Sequence, residues 1–114
     1  MKTTLYHNNR CSKSRCALDY LKEHESNVEV VDLLKDNITK SQLEEVLSLL
    51  NMKPSELIRT SDKYFKDNFE QKEYSEEDYL NIMLEHPRLI QRPIVVKNNK
   101  AAIGRPLERV IEIL

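Results

Sequence analysis

Cys11 stands in the run Tyr6-His7-Asn8-Asn9-Arg10-Cys11-Ser12-Lys13-Ser14-Arg15-Cys16, between an apolar strand-like start and an amphipathic helix. A thiol at such a junction faces the unpaired N–H groups and positive dipole end of the coming helix. Both favour the thiolate, which is the nucleophilic form of sulfur. Arg10, Lys13 and Arg15 add positive charge, so the turn that activates sulfur would also attract an oxyanion. Two readings stand at this point: a reactive thiolate, or a half-buried thiol in an ordinary βα turn.

The elements that must position this turn are legible from pattern. Thr3 to His7 reads as a short strand. Ser14 to His24 reads as a helix with Cys16, Ala17, Leu18 and Leu21 on its buried side. Residues 28–33, Val-Glu-Val-Val-Asp-Leu, read as a second strand of the buried kind, so the chain begins β-α-β with parallel pairing. Thr39-Lys40-Ser41-Gln42 has the form of a capping box, and Leu43, Val46, Leu47 and Leu50 follow at helical spacing. Pro54 to Arg59 reads as a short helix start, and Ser75 opens another helix that His86-Pro87 closes. The charged and aromatic stretch 61–73 reads as a loop with some helix. Residues 94–97 and 100–103 flank Asn98-Asn99 as a hairpin. The last helix spans Leu107 to Leu114, with Leu107, Val110, Ile111 and Leu114 on one stripe. The order β-α-β, helical block, β-β-α predicts an α/β protein. Its thioredoxin-like βαβ–ββα core (residues 1–36 and 87–114) carries an inserted helical subdomain (residues 37–86), within a single domain of residues 1–114.

The totals narrow the function. The 114 residues carry 18 basic and 19 acidic side chains, for a formal net charge of −1. That balance gives no argument for nucleic-acid binding, which shows a marked basic excess. No segment approaches the roughly 18 apolar residues of a membrane span, and the start has no signal-peptide pattern. A cytoplasmic protein with reduced cysteines is the expectation. Gly104 is the only glycine, which removes phosphate-binding loops and dinucleotide fingerprints, since each needs several. An anion site here must use a helix N-terminus and arginines. No metal is expected: two cysteines with four residues between them, and no second pair, do not form a zinc site.

The chain resembles the glutaredoxin-coupled arsenate reductase family along nearly its full length. The landmarks are Asn8-Asn9-Arg10-Cys11-Ser12-Lys13-Ser14-Arg15, then Arg59 in Glu56-Leu57-Ile58-Arg59. Arg92 in Gln91-Arg92-Pro93-Ile94 and Arg105 in Ile103-Gly104-Arg105-Pro106 complete them. His7 also has its counterpart. The resemblance implies that Cys11 attacks arsenate and that Arg59, Arg92 and Arg105 hold the oxyanion. It implies glutathione as co-substrate and glutaredoxin as the protein that regenerates the thiol, with no bound cofactor. It also places a cis proline at Pro93, facing the cysteine loop. Gly104 would permit an unusual backbone angle or a close approach beside Arg105.

Some roles stay open in the sequence. His7 could tune the thiol or be a satisfied histidine at a strand end. Ser14 could bond the thiolate or simply cap the helix. Cys16 departs from the family pattern. Five residues along a regular helix separate Cα atoms by roughly 8–9 Å, whereas a disulfide needs less than about 7 Å. Cys16 therefore reads as a packed side chain rather than a resolving thiol. Two other functions remain. Thioredoxin-fold stress regulators that bind RNA polymerase share this pattern, but their second switch cysteine is Ser14 here. A thiol reductase of the same fold acting on another substrate would look the same.

Overall fold

The computed structural model describes residues 2–8, 10–36, 38–104 and 107–114. Strand β1 (Thr3–His7) runs into helix α1 (Ser12–His24) and strand β2 (Val28–Asp32). Four helices follow: α2 (Lys40–Leu50), α3 (Pro54–Leu57), α4 (Lys63–Asn68) and α5 (Glu76–Glu85). A 3₁₀ turn at Pro87–Leu89 leads to β3 (Ile94–Lys97), β4 (Lys100–Ile103) and a short α6 (Glu108–Ile111). The four strands form one sheet in the order β2-β1-β3-β4. β1 and β2 are parallel, whereas β3 is antiparallel to both β1 and β4. This is the thioredoxin-like α/β arrangement, with helices between β2 and β3.

Strand alternation divides the core. Leu5 and Val95 face α1 and α6, packing with Ala17, Leu21 and Val110. Tyr6 and Ile94 face the opposite way, into a larger cluster with Leu43, Val46, Leu57, Phe65, Met83 and Leu89. The helical block thus covers one face of the sheet and α1 with α6 the other.

Local chemistry accounts for most boundaries. The Thr39 hydroxyl accepts the Gln42 N–H while the Gln42 side chain accepts the Thr39 N–H, closing the capping box. Ser75 and Asp78 do the same for α5. Asn98 and Asn99 both take positive φ, 53° and 62°, which suits a two-residue hairpin whose twist matches its strands.

Four expectations are corrected. Helix α1 begins at Ser12, so Ser14 lies inside its first turn and Cys11 is the N-cap. Cys16 is exposed rather than packed. The buried face of α1 is Ser14, Ala17 and Leu21, and Cys16, two residues from Ser14, points about 200° away at roughly 100° per residue. Strand β2 is an edge strand with Glu29 and Val30 exposed, because α1 packs over β1. The final helix is shorter than expected, and Ile111 is exposed. Bonds from Val110 N to Leu107 O and from Ile113 N to Val110 O tighten this segment. Three-residue spacing then aligns Leu107, Val110 and Ile113 and turns Ile111 outward.

Two features tie the sheet at its ends. Gly104 does not take a positive φ; its value is close approach, since a Cβ there would meet Pro93 Cγ at 2.8 Å and Val110 Cγ2 at 3.2 Å. Gly104→Ala should lose about 1–3 kcal/mol of stability by overpacking, read as a lower urea midpoint. At the other end, the Glu25 carboxylate accepts from Lys97 Nζ at 2.6 Å and from the Thr3 hydroxyl at 2.9 Å. Those bonds, with Lys97 first and Thr3 second, outweigh desolvation and hold its carboxyl below the ordinary value. Their stabilisation is complete above the unfolded carboxyl's range and is lost as pH falls through the lowered folded value. Glu25→Gln should therefore flatten the acid limb of the stability profile below about pH 5, measured by urea unfolding across pH.

Candidate functional site

The register puts the chemistry-bearing segments at one end of the sheet. Tyr6 pairs with Ile94, and Ile94 with Ile103. The end of β1, the start of β3 and the end of β4 therefore lie side by side. The cysteine turn leaves β1 there, Arg92-Pro93 enters β3 there, and Gly104 follows β4 there. Gly104 N–H donates to the Pro93 carbonyl at 2.8 Å, and the Arg92–Pro93 peptide bond is cis. Arg105, expected as the third oxyanion arginine, lies outside the described residues, as does Asn9 of the cysteine turn.

Asn8 shapes the turn. Its carbonyl accepts the Cys11 N–H at 2.9 Å, and its side-chain Oδ1 accepts the Arg10 N–H at 2.9 Å. The first helical bond of α1 runs from Arg15 N to Cys11 O, 3.1 Å. The N–H groups of residues 12–14 thus have no acceptor within the helix. Cys11, partly exposed, stands at this amino end with extended backbone (φ −98°, ψ 122°). Negative charge on its sulfur is favoured there by the helix dipole.

His7 and Ser14 lie beneath this turn. His7 shares the sheet face of Leu5, towards α1, and is 4% exposed; Ser14 is fully buried on the inner face of α1. Neither ring nitrogen of His7, nor the Ser14 hydroxyl, has a hydrogen-bond partner among the described residues. Unsatisfied buried polar atoms are rare and costly, and these two residues bracket the cysteine turn, at the end of β1 and in the first turn of α1.

Arg59 is not on a helix, as the sequence suggested; α3 ends at Leu57. It follows Ile58, which bridges to Ile90, and its N–H donates to the Leu89 carbonyl at 2.7 Å. This lays Arg59 along the segment that leads to Arg92. Arg59 and Gln91 line a cleft of about 280 Å³ with Ile58, Thr60 and Ser61. Arg92 Nη1 donates to the Arg88 carbonyl at 2.7 Å. A larger groove of about 400 Å³ runs along β4, lined by Leu50, Met52, Ile103 and Ile113 among others, but holds no nucleophile.

Sequence reasoning missed Asp62. Its side chain is 8% exposed and lies 3.4 Å from Arg59 Nη1 and 3.4 Å from Arg88 Nη2. Burial alone would push its carboxyl up. The Tyr64 N–H and the charges of Arg88 and Arg59 prevail and hold it below the ordinary carboxylate range. The signal was present: Ser61-Asp62 before Lys63-Tyr64-Phe65 is a helix N-cap pattern, three residues after Arg59. Among the described residues, no group of three or more His, Cys, Asp or Glu side chains is arranged to hold a metal ion.

A four-stranded sheet with a cysteine at the N-cap position of α1 and a cis proline entering β3 defines a protein of the thioredoxin fold. The sequence profile of the ArsC family matches residues 6–113, and the chain belongs to the ArsC family. The uncharacterized protein YfgD of Escherichia coli K12 is 43% identical over 112 residues, 96% of this chain and 94% of that one. An arsenate reductase of Neisseria meningitidis is 36% identical over 112 residues, covering 96% of each. Among solved structures, an arsenate reductase from Vibrio cholerae matches with a TM-score of 0.91 at 34% identity, covering 100% of this chain and 98% of that one.

The two thiols should behave differently. At neutral pH, iodoacetamide should alkylate Cys11 about tenfold faster than a thiol of ordinary reactivity. Arsenate or phosphate should slow that reaction and leave Cys16 unaffected. Peptide mass mapping of the labelled sites reads both rates, and equal unprotected rates would count against an activated Cys11.

Proposed function

We propose that this protein is an arsenate reductase, an oxidoreductase in which Cys11 is the nucleophile and glutathione with glutaredoxin supplies the electrons. The observation that carries this reading is the position of Cys11 at the amino end of α1, on the same edge of the sheet as Arg92. Membership of the ArsC family, and relatives named arsenate reductase, support arsenate as the substrate. The site residues are assigned on the same footing: Arg59, Arg92 and Arg105 as oxyanion ligands, with His7 and Ser14 supporting the thiolate.

In this reading arsenate enters among the guanidinium groups, each of which can engage two oxygens. The thiolate attacks arsenic, an S–As bond forms, and an arsenate oxygen leaves as water after protonation. The arginines neutralise charge as that oxygen departs. A glutathione thiolate next attacks the Cys11 sulfur. The S–As bond breaks with its electron pair going to arsenic, which falls from five-valent to three-valent and leaves as arsenite. The two sulfurs, oxidised together, remain as a Cys11–glutathione disulfide. Glutaredoxin attacks the glutathione sulfur and restores the Cys11 thiol by exchange.

Cys16 takes no part in this cycle. It lies on the outer face of α1, and reaching Cys11 would require unwinding the turn closed by the Arg15 N–H to Cys11 carbonyl bond.

The test is a coupled assay following NADPH oxidation through glutathione reductase, with glutathione and glutaredoxin present and arsenate added or withheld. Turnover should depend on arsenate and vanish in Cys11→Ser. Cys16→Ser should retain it, and Arg59→Ala should raise KM for arsenate by about tenfold or more. Absence of arsenate-dependent turnover would overturn the substrate assignment and favour a thiol reductase acting elsewhere. Turnover with thioredoxin but not with glutaredoxin would replace the electron donor. Loss of turnover in Cys16→Ser would restore an internal disulfide.

A further inference from the structure

Asp62 is a buried carboxylate between two guanidinium groups, and the proposed chemistry gives it no role. Its Oδ1 accepts the Tyr64 N–H at 2.8 Å, capping α4, so the first turn of that helix fixes the carboxylate's direction. Its Oδ2 faces Arg59 Nη1 at 3.4 Å, and both oxygens face Arg88 Nη2, at 3.4 and 3.5 Å. The Arg88 guanidinium also lies over the Tyr64 ring, 5.4 Å from its centre. The carbonyl of the same Arg88 takes the Arg92 Nη1 hydrogen bond.

We propose that Asp62 is the positioning residue of the oxyanion site, steering Arg59 directly and holding, through Arg88, the segment that orients Arg92. This rests on the reading of Arg59 and Arg92 as oxyanion ligands. The contacts have the character the role needs. Charge-assisted bonds that lock a guanidinium are about 2.7–2.9 Å long, whereas these are 3.4–3.5 Å. Asp62 therefore aims Arg59 without sequestering it, and an arginine with five N–H donors keeps most of them for an incoming oxyanion. Two positive groups share one negative group, so the cluster stays net positive and still attracts an anion. Without the carboxylate, Arg59 and Arg88 would repel each other across a partly buried space and splay.

A merely structural Asp62 would act only as the cap of α4. Asp62→Asn separates the two roles, because asparagine caps helices as well as aspartate does but carries no charge. Asp62→Asn should keep α4 capped and the protein folded, with a smaller drop in melting temperature than Asp62→Ala, raise KM for arsenate about tenfold and change kcat little. In an Arg59→Ala background the same substitution should add at most a small further loss, since its effect runs mainly through Arg59. A ligand-free readout decides the matter whether or not arsenate is the substrate. ¹⁵N relaxation of the Arg59 and Arg88 side-chain Nε–H groups should show looser guanidinium groups in Asp62→Asn.

Unchanged side-chain relaxation in Asp62→Asn would overturn the proposal, as would a full additive loss on top of Arg59→Ala. A stability defect in Asp62→Ala, with KM and relaxation both unaltered in Asp62→Asn, would reduce Asp62 to a cap. If no variant, wild type included, reduces arsenate, the functional reading fails, while the relaxation data still decide whether Asp62 orders Arg59.

Discussion

The N–H groups of residues 12–14 begin a helix and find no acceptor in it. Everything else at the working end of this molecule is arranged around that deficit. It sets the field in which the Cys11 sulfur stands, and it asks for negative charge rather than a neutral thiol. Asn8 makes the arrangement possible by closing the turn on both sides, with its carbonyl on Cys11 N–H and its amide oxygen on Arg10 N–H. A chain with a single glycine cannot wrap its backbone around an anion as a glycine-rich loop does. In the proposed reading, one helix end and guanidinium groups from distant segments take the place of such a loop.

Those segments are distant in sequence, and the sheet is what gathers them. The antiparallel register of β3 against β1 and β4 makes the entry to β3 a neighbour of both strand exits. The Ile58–Ile90 bridge adds residues from the helical block to the same border. Asp62 stands within 3.4 Å of two guanidinium groups there. Under its proposed role, the carboxylate offsets the repulsion that would otherwise hold those cations apart.

Much of this was legible in the sequence, for identifiable reasons. The capping box at Thr39, the helix opening at Ser75 and the Asn98-Asn99 turn are local signals, and the structure carries all three. The β-α-β and β-β-α order follows from hydrophobic pattern and short connections. What failed depended on neighbours. Val30 looks buried by composition, yet nothing in strand β2 itself says that it will lie at the sheet's edge. Cys16 looks buried by residue type, but α1 turns Ser14, Ala17 and Leu21 inward, and a cysteine two residues from Ser14 falls on the other side. Ile111 was misplaced because the final turn tightens from α towards 3₁₀ spacing. In the candidate site, Cys11 stands out by residue type at a strand-to-helix junction, whereas Arg92 is singled out only by the family resemblance. Asp62 could not be weighed without knowing that Arg88, twenty-six residues on, returns to it.

The Glu25–Lys97–Thr3 tie gives the molecule two unlike ends. It joins the close of α1, the start of β1 and the end of β3, and Thr3 N–H is bonded to the Asn27 carbonyl as well. At the opposite end, the ring nitrogens of His7 and the hydroxyl of Ser14 are buried with no hydrogen-bond partner among the described residues. Stability in a small protein is distributed unevenly, and opening begins where bonding is sparse. This sheet is therefore tied by charge at one margin and holds unsatisfied polar groups at the other. In the proposed reading, the margin with groups to spare is the one a charged ligand would meet, and the tie lies away from it.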